Sequence, residues 1–207
     1  MSYGAVEERG NLVLDNIPAV DTPLTARLED YLNSRGASFV DWLPGDAMLI
    51  ATRFGDVEQL HRVTTPLGAR EQLTFYREPV TVARAPRSAV APGFVFLRDQ
   101  GGNELNHLYV GALSGEEKDL TPGDKLKAMF DRWTRDGGAF YAETNERDSR
   151  FFDLYRYDAK TYARTMVYKD ETGYNVGDVS EDGRWIALRK THTTADSDIF
   201  LWNTATK

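Results

Sequence analysis

The feature that most constrains this chain is a repeat with a period of 45 to 48 residues. Four similar apolar runs are spaced 48, 46 and 45 residues apart and begin at Leu60, Leu108, Leu154 and Ile199. Each run mixes apolar and polar residues in the manner of a half-exposed β-strand. A segment with a tight, glycine-containing turn precedes each run, and such turns join adjacent antiparallel strands. The chain is therefore predicted to form successive small antiparallel sheets.

Units of four short strands that recur at this period are typical of the blades of a β-propeller. The predicted fold class is all-β: a partial propeller of about three and a half to four four-stranded blades, preceded by a short helix. The predicted blades span 37–76, 83–122, 126–169 and 174–207, after an N-terminal extension at 1–36. A propeller has to close its ring, so the chain is expected to be the N-terminal piece of a longer protein.

A helix is predicted before the first blade, in the segment DTPLTARLEDYLNSRG. Thr22 is expected to cap it, Pro23 suits the first helical position, and Gly36 ends it. Its apolar face consists of Leu24, Leu28, Tyr31 and Leu32. This face is expected to pack on the rim of the propeller, with binding of a partner protein as the alternative.

Composition excludes several classes of protein. The formal net charge is -7 and no Lys/Arg cluster occurs, which excludes the usual nucleic-acid binders and gives no attraction to anionic membranes. The chain has no cysteine, so disulfides and thiolate metal sites are excluded. It has no apolar run of about 18 residues that would cross a membrane. No signal peptide is visible, which favours the cytoplasm and leaves a periplasmic location open.

The residues that usually perform hydrolysis are not arranged for it here. No Gly-x-Ser-x-Gly elbow occurs, and Ser114 in GALSGE is predicted to lie in a hairpin turn. Glu58 precedes His61 by three residues, as Glu104 precedes His107, but on a strand this odd separation points the two side chains to opposite faces. No catalytic residue, metal site or cofactor is therefore predicted in this chain.

Two further patterns are interpreted as structural. The segment that begins at Asp178 starts like a calcium-binding loop, but Arg189 stands where a bidentate glutamate is required. A β-hairpin is predicted there instead. The four tryptophans are expected mainly to pack blade against blade. They are Trp42, Trp133, Trp185 and Trp202.

The loop RDQGGNELN is the best candidate for contact with a ligand. Its glycines and Asp99 predict a turn, and Glu104 has a structural interpretation as a solvated carboxylate or a bond to a neighbouring blade. In the functional interpretation, Glu104 or Arg98 faces the substrate. A carboxylate suits the amino terminus of a peptide, and a guanidinium suits a carboxylate.

The segments RDQGGNELNHLYV…GEEKDLTPG and ATRFGDVEQLHRV…REQLTF together resemble the N-terminal propeller of the prolyl oligopeptidase family of serine peptidases. The resemblance extends over residues 10–207 and is greatest to the acylaminoacyl-peptidase and dipeptidyl-peptidase branch. It implies a second, α/β-hydrolase domain whose Ser, Asp and His cut short peptides. The propeller would then limit access to that domain, its partners would be the peptide and the hydrolase domain, and this chain alone would be inactive.

Two alternatives remain from the residues themselves. A non-enzymatic propeller that binds a protein partner, like those of periplasmic translocation proteins, shares the Asp-Gly hairpins. A propeller hydrolase with a metal in its central channel is the third hypothesis, and the lack of clustered His and acidic ligands counts against it.

Overall fold

The computed structural model describes residues 6–18, 21–80, 82–88 and 93–207. A short hairpin comes first, formed by β1 (Glu7–Arg9) and β2 (Leu12–Leu14), and the helix α1 (Thr22–Leu32) follows it. The rest of the described chain forms four antiparallel sheets in chain order. This arrangement confirms the predicted all-β, partial-propeller fold, and we call the sheets blades one to four.

Each blade is a meander in which consecutive strands pair side by side. Blade one contains β3 (Ala37–Leu43), β4 (Ala47–Thr52), β5 (Gln59–Val63) and β6 (Glu71–Gln72). Blade two contains β7 (Val82–Arg84), β8 (Gly93–Arg98), β9 (His107–Ala112) and β10 (Glu117–Asp119). Blade three contains β11 (Ala128–Trp133), β12 (Ala139–Asp148), β13 (Phe151–Asp158) and β14 (Arg164–Tyr168). Blade four has three strands in the described residues, β15 (Asn175–Val179), β16 (Trp185–Thr193) and β17 (Asp196–Asn203).

The apolar core lies between the blades. One cluster joins blades one and two through residues such as Leu49 and Phe96. A second joins blades two and three through Val95 and Phe140, and a third joins blades three and four. Each blade thus buries its faces against its neighbours, which is how small sheets that cannot build a core alone become stable.

Buried threonines fasten the outermost strand of the first two blades. The backbone N–H of Leu60 donates to Thr74 Oγ1 at 2.9 Å, and the N–H of Leu108 donates to Thr121 Oγ1 at 2.8 Å. Both hydroxyls are almost fully buried. The Leu-Thr pairs of REQLTF and EKDLTP are therefore structural, because the hydroxyl completes the ladder where the backbone of the outer strand turns away.

The helix forms in the predicted segment, but its predicted cap is wrong. Asp21 occupies the N-cap position and makes no side-chain capping bond, while Thr22 is already helical. The Thr25 hydroxyl lies 3.2 Å from the Asp21 carbonyl oxygen, one turn back, and donates to it. At 11 residues the helix is short, and within the described chain no helix is long and apolar enough to span a membrane.

The predicted packing of the apolar helix face on the propeller rim is also wrong. No residue of the helix is buried, and Tyr31 is 80% exposed. Arg53 holds the end of the helix instead, because its Nη2 donates to the carbonyls of Leu32 and Ser34. The helix is thus attached by its C-terminus, and its apolar face stays in contact with solvent.

Candidate functional site

In two of the three pairs of neighbouring blades, the first strands contact each other, which places these strands on the inner side of the arc. Strand β3 contacts β7, and β11 contacts β15. A cleft of about 470 Å³ opens between these strands and is lined by residues from all four blades. Clefts of this size, at a junction of several structural units, are the usual position of a binding site.

Four charged residues occupy the same position on the four inner strands. The strand pairing shows this. In each blade, the charged residue of the first strand pairs with a residue of the second strand. That residue pairs in turn with the third strand, at the position two residues after the repeat anchor. In blade order they are Asp41, Arg84, Arg132 and Asp178. All four line the cleft. The repeat therefore produces one level of charge, two acids and two bases, around the inner surface.

Two of these charges form an ion pair across blades three and four. Arg132 Nη1 donates to Asp178 Oδ1 at 3.1 Å and to the carbonyl oxygen of Val179 at 2.6 Å. A second pair lies nearer the solvent, where Arg135 Nη1 is 3.3 Å from Glu181 Oε2. The two basic residues of blade three that line the cleft are therefore both paired with acids of blade four.

The other two charges of this level lie on blades one and two and do not neutralise each other. The Asp41 carboxylate accepts hydrogen bonds from the N–H groups of Trp42 at 2.8 Å and Ala85 at 3.0 Å, so it connects the two inner strands. The Arg84 guanidinium donates to the carbonyl oxygen of Ala83 at 2.7 Å. Arg84 is exposed, as is Arg87, which lines the same cleft.

A carboxyl pair lies at the wall of the cleft, which one of its members, Asp131, lines. A β-bulge in β11 places Asp131 beside Glu143 of β12, which is 3% exposed. Burial raises the pKa of Glu143, and the negative charge of Asp131 adds to the effect. Burial also raises the pKa of Asp131. A protonated Glu143 carboxyl that donates to Asp131 is the arrangement these effects favour, because two adjacent buried carboxylates repel each other.

The predicted site residue Arg98 lies on the β8–β9 side of blade two, away from the residues that line the cleft. Its guanidinium stacks between the rings of Tyr76 and Tyr109, with its carbon 4.1 and 4.7 Å from the two ring centres. It also donates to the Tyr109 hydroxyl at 3.0 Å and lies 3.8 Å from the Glu78 carboxylate. Internal partners therefore already hold this side chain.

Glu104, the other predicted site residue, lies in the loop between β8 and β9 and is exposed. Its backbone has a φ of 60°, and its N–H donates to Asp99 Oδ2 at 3.0 Å. Glu78 pins the same loop by accepting from the N–H of Gly101 at 3.0 Å. The Glu104 carboxylate is thus presented to solvent by a loop with defined internal hydrogen bonds.

The remaining patterns have structural roles. Ser114 lies in the β9–β10 turn. His61 is fully buried, and His107 Nδ1 lies 2.8 Å from Asp119 Oδ2. The segment after Asp178 is a hairpin, as predicted. Among the described residues, no three His, Asp or Glu side chains are grouped so that they could hold a metal ion.

The tryptophans divide between packed and exposed positions. Trp133 stacks edge-on against Phe140 within blade three, and Trp202 does so against Tyr168 between blades three and four. Trp42 and Trp185 are 57% and 38% exposed, so the expectation of blade packing is wrong for Trp42, which lies on the open face of blade one. That face has no neighbouring sheet among the described residues to cover the ring.

The chain was compared with protein-family profiles and with known proteins to find what it is similar to. No protein-family profile matches the chain. Dipeptidyl aminopeptidase BIII of Pseudoxanthomonas mexicana is 35% identical over 79 residues, which is 37% of this chain and 12% of that protein. The matching segment therefore spans about an eighth of the length of this relative.

Solved structures with the same fold include one from a study of two prolyl endopeptidases, at a TM-score of 0.64 and 16% identity. The alignment covers 88% of this chain and 30% of that one. A putative TolB from Agrobacterium tumefaciens aligns at a TM-score of 0.52 and 19% identity, over 82% of this chain and 58% of that one. The propeller fold and the dipeptidyl aminopeptidase relative together confirm that the chain resembles the propeller region of prolyl oligopeptidase-family peptidases.

Proposed function

We propose that this chain is the propeller part of a serine peptidase that cleaves short peptides, and that it limits access to a catalytic domain outside the chain. The similarity to a dipeptidyl aminopeptidase is the observation that carries the proposal. Hydrolysis would belong to the Ser, Asp and His of an α/β-hydrolase domain, with backbone N–H groups stabilising the oxyanion.

The inner cleft suits a role in access. Its volume of about 470 Å³ accommodates a short extended peptide but not a folded domain. Charged residues from every blade line it, so a peptide that approaches along the inner surface meets hydrogen-bonding groups at one level. Glu104 and Arg98 remain predictions for contact with the peptide, and the exposed carboxylate of Glu104 suits a positively charged amino terminus.

The complete gene product provides the test. It should hydrolyse a short chromogenic peptide. A fluorophosphonate should label it covalently and abolish this activity. A folded protein that contains the same peptide sequence should not be cleaved. The 207-residue chain expressed alone should show neither hydrolysis nor label, since it holds no Gly-x-Ser-x-Gly elbow.

Two results would contradict the proposal. Labelling of the 207-residue chain by the fluorophosphonate would place the nucleophile within it. A complete gene product that hydrolyses no peptide but retains a protein partner would favour the alternative, a propeller that acts as a binding module.

A further inference from the structure

The charge of the inner cleft differs from that of the whole chain. Formal net charge is -7 overall, whereas four arginines and four acids line the cleft. The four arginines are Arg84, Arg87, Arg132 and Arg135. Arg132 and Arg135 have carboxylate partners on blade four. Within the described residues, neither Arg84 nor Arg87 has one.

Among the described residues, the acids of blades one and three that line the cleft form no ion pair with these two arginines. Both oxygens of Asp41 are held by backbone N–H groups. Asp131 has one buried oxygen without a partner and lies beside the buried Glu143. Both guanidinium groups are therefore exposed on the blade-two side of the cleft without a carboxylate partner in the described chain.

Arg84 and Arg87 stand on a short, restrained segment. Ala85 between them is buried, and its N–H is bonded to Asp41 at 3.0 Å. Pro86 follows and fixes its own φ angle. The Arg84 carbonyl accepts from Trp133 Nε1 at 3.2 Å, which ties the segment to blade three. The backbone under both guanidinium groups is thus held from two neighbouring blades before any ligand arrives, which lowers the ordering cost of binding.

We propose that Arg84 and Arg87 form a carboxylate-binding site in the inner cleft, which selects acidic peptides. The inference rests on the proposed function for the peptide nature of the ligand. Each guanidinium presents a planar fork of N–H donors that matches a carboxylate. Two forks on one restrained segment suit a peptide that carries two nearby carboxylates, either two acidic side chains or one side chain and the C-terminus.

Binding to the 207-residue chain tests the site without any need for hydrolysis. The probes are a short fluorescent Glu-Gly repeat peptide, amidated at its C-terminus, and the same peptide with Gln in place of Glu. Fluorescence anisotropy should show binding of the Glu peptide alone, and this binding should weaken as salt screens the charges. The double variant Arg84→Gln/Arg87→Gln should lose about tenfold or more in affinity, as expected for the loss of charge-assisted hydrogen bonds.

The control is Arg27→Gln/Arg35→Gln, which removes the same charge from exposed positions outside the cleft. It should bind the Glu peptide as the unmodified chain does. The variant Arg84→Lys/Arg87→Lys keeps the charge without the planar fork and should fall between the two. Thermal unfolding of each variant verifies that the exposed substitutions leave the fold intact.

Equal affinity of the two double Gln variants for the Glu peptide would overturn the proposal, as would equal binding of the Glu and Gln peptides. Displacement of the Glu peptide by inorganic phosphate at the same concentration would show a general anion site and would overturn it too. The proposed peptidase activity is measured separately, with a neutral peptide and the complete gene product. The two proposals are therefore tested separately, and either can fail without the other.

Discussion

Glu143 and Asp131 bring two carboxyl groups together in the interior of the arc, between blades three and four. One oxygen of each lies buried and is bonded by no residue outside the pair. Three other groups affect the pKa values of the pair. The backbone of Val176 lowers the pKa of Glu143, while the charge of Asp170 raises it, and the charge of Asp178 raises the pKa of Asp131. The folded protein therefore holds a proton that the unfolded chain releases at a lower pH.

Glu143→Gln should reduce the loss of stability at higher pH. Burial raises the folded-state pKa of Glu143 above its ordinary value of 4.5, so the folded state binds more protons than the unfolded state above that pH. Stability from this group is complete below 4.5 and falls as the pH rises toward the raised folded-state value. Glutamine is neutral throughout and similar in shape, so the variant should lack this loss.

Urea unfolding at about pH 5.5 and about pH 8 measures the effect. The variant should gain stability relative to the unmodified chain at the higher pH, by roughly 1–3 kcal/mol, the scale of a buried polar group left without compensation. Glu29→Gln, on the exposed helix, is the matched control and should leave the pH dependence unchanged. An identical pH dependence in the Glu143→Gln variant and the unmodified chain would show that the pair holds no extra proton.

At the level of strands and loops, the outer edge of each blade depends on a few side chains. The outer strands β6 and β10 contain only two and three residues, so few backbone bonds hold them. Thr74 and Thr121 add one buried hydrogen bond each, to the backbone N–H groups of the repeat anchors in β5 and β9. This contact explains why the Leu-Thr pairs recur in the sequence at the spacing of the blades.

Replacement of either buried threonine, Thr74 or Thr121, by valine should destabilise the chain. Thr74→Val and Thr121→Val keep the shape of the side chain but leave the N–H of Leu60 or Leu108 buried without an acceptor, at a cost of about 1–3 kcal/mol. Thermal or urea unfolding checks this, with Thr165→Val on the exposed side of β14 as the control. Unchanged unfolding midpoints for Thr74→Val and Thr121→Val would show that water or another group accepts a hydrogen bond from these amides.

The same elements show what the sequence can and cannot predict. The anchors Leu60, Leu108 and Leu154 are fully or almost fully buried, so burial imposes the repeat and makes the strand order readable. The charged level on the inner strands was not predicted, although its residues follow the repeat. Bulges in β3, β11 and β15 interrupt the alternation from which the direction of a side chain is inferred.

Contacts between distant residues explain the other differences. The pattern of α1 shows an apolar face but not what covers it. The helix is attached by Arg53, which follows β4 and is distant from the helix in sequence. Arg98 stays a predicted ligand contact, and its stacking with Tyr76 and Tyr109 arises only when blades one and two pack together. Side-chain roles of this kind follow from tertiary packing, which local sequence patterns do not specify.

Across the whole molecule, the faces at the two ends of the row of blades remain uncovered in the described residues. Phe39 and Trp42 are more than half exposed on blade one, and Ile199 and Leu201 are 75% and 70% exposed on blade four. Alternation along β17 places Ile199 and Leu201 on the face opposite Trp202, which packs against blade three. Apolar sheet faces of this kind are sites of association between chains.

The 207-residue chain should therefore self-associate, and Ile199→Lys/Leu201→Lys should shift it toward the monomer. The net charge of -7 opposes association, but at physiological salt the Debye length is about 8 Å, so this repulsion is screened while the apolar contact is not. Sedimentation velocity across a range of concentrations measures the change. Ser114→Lys/Thr165→Lys adds the same charge at exposed polar positions on blades two and three and should associate like the unmodified chain. If both double variants behave alike, charge and not the exposed blade face controls association.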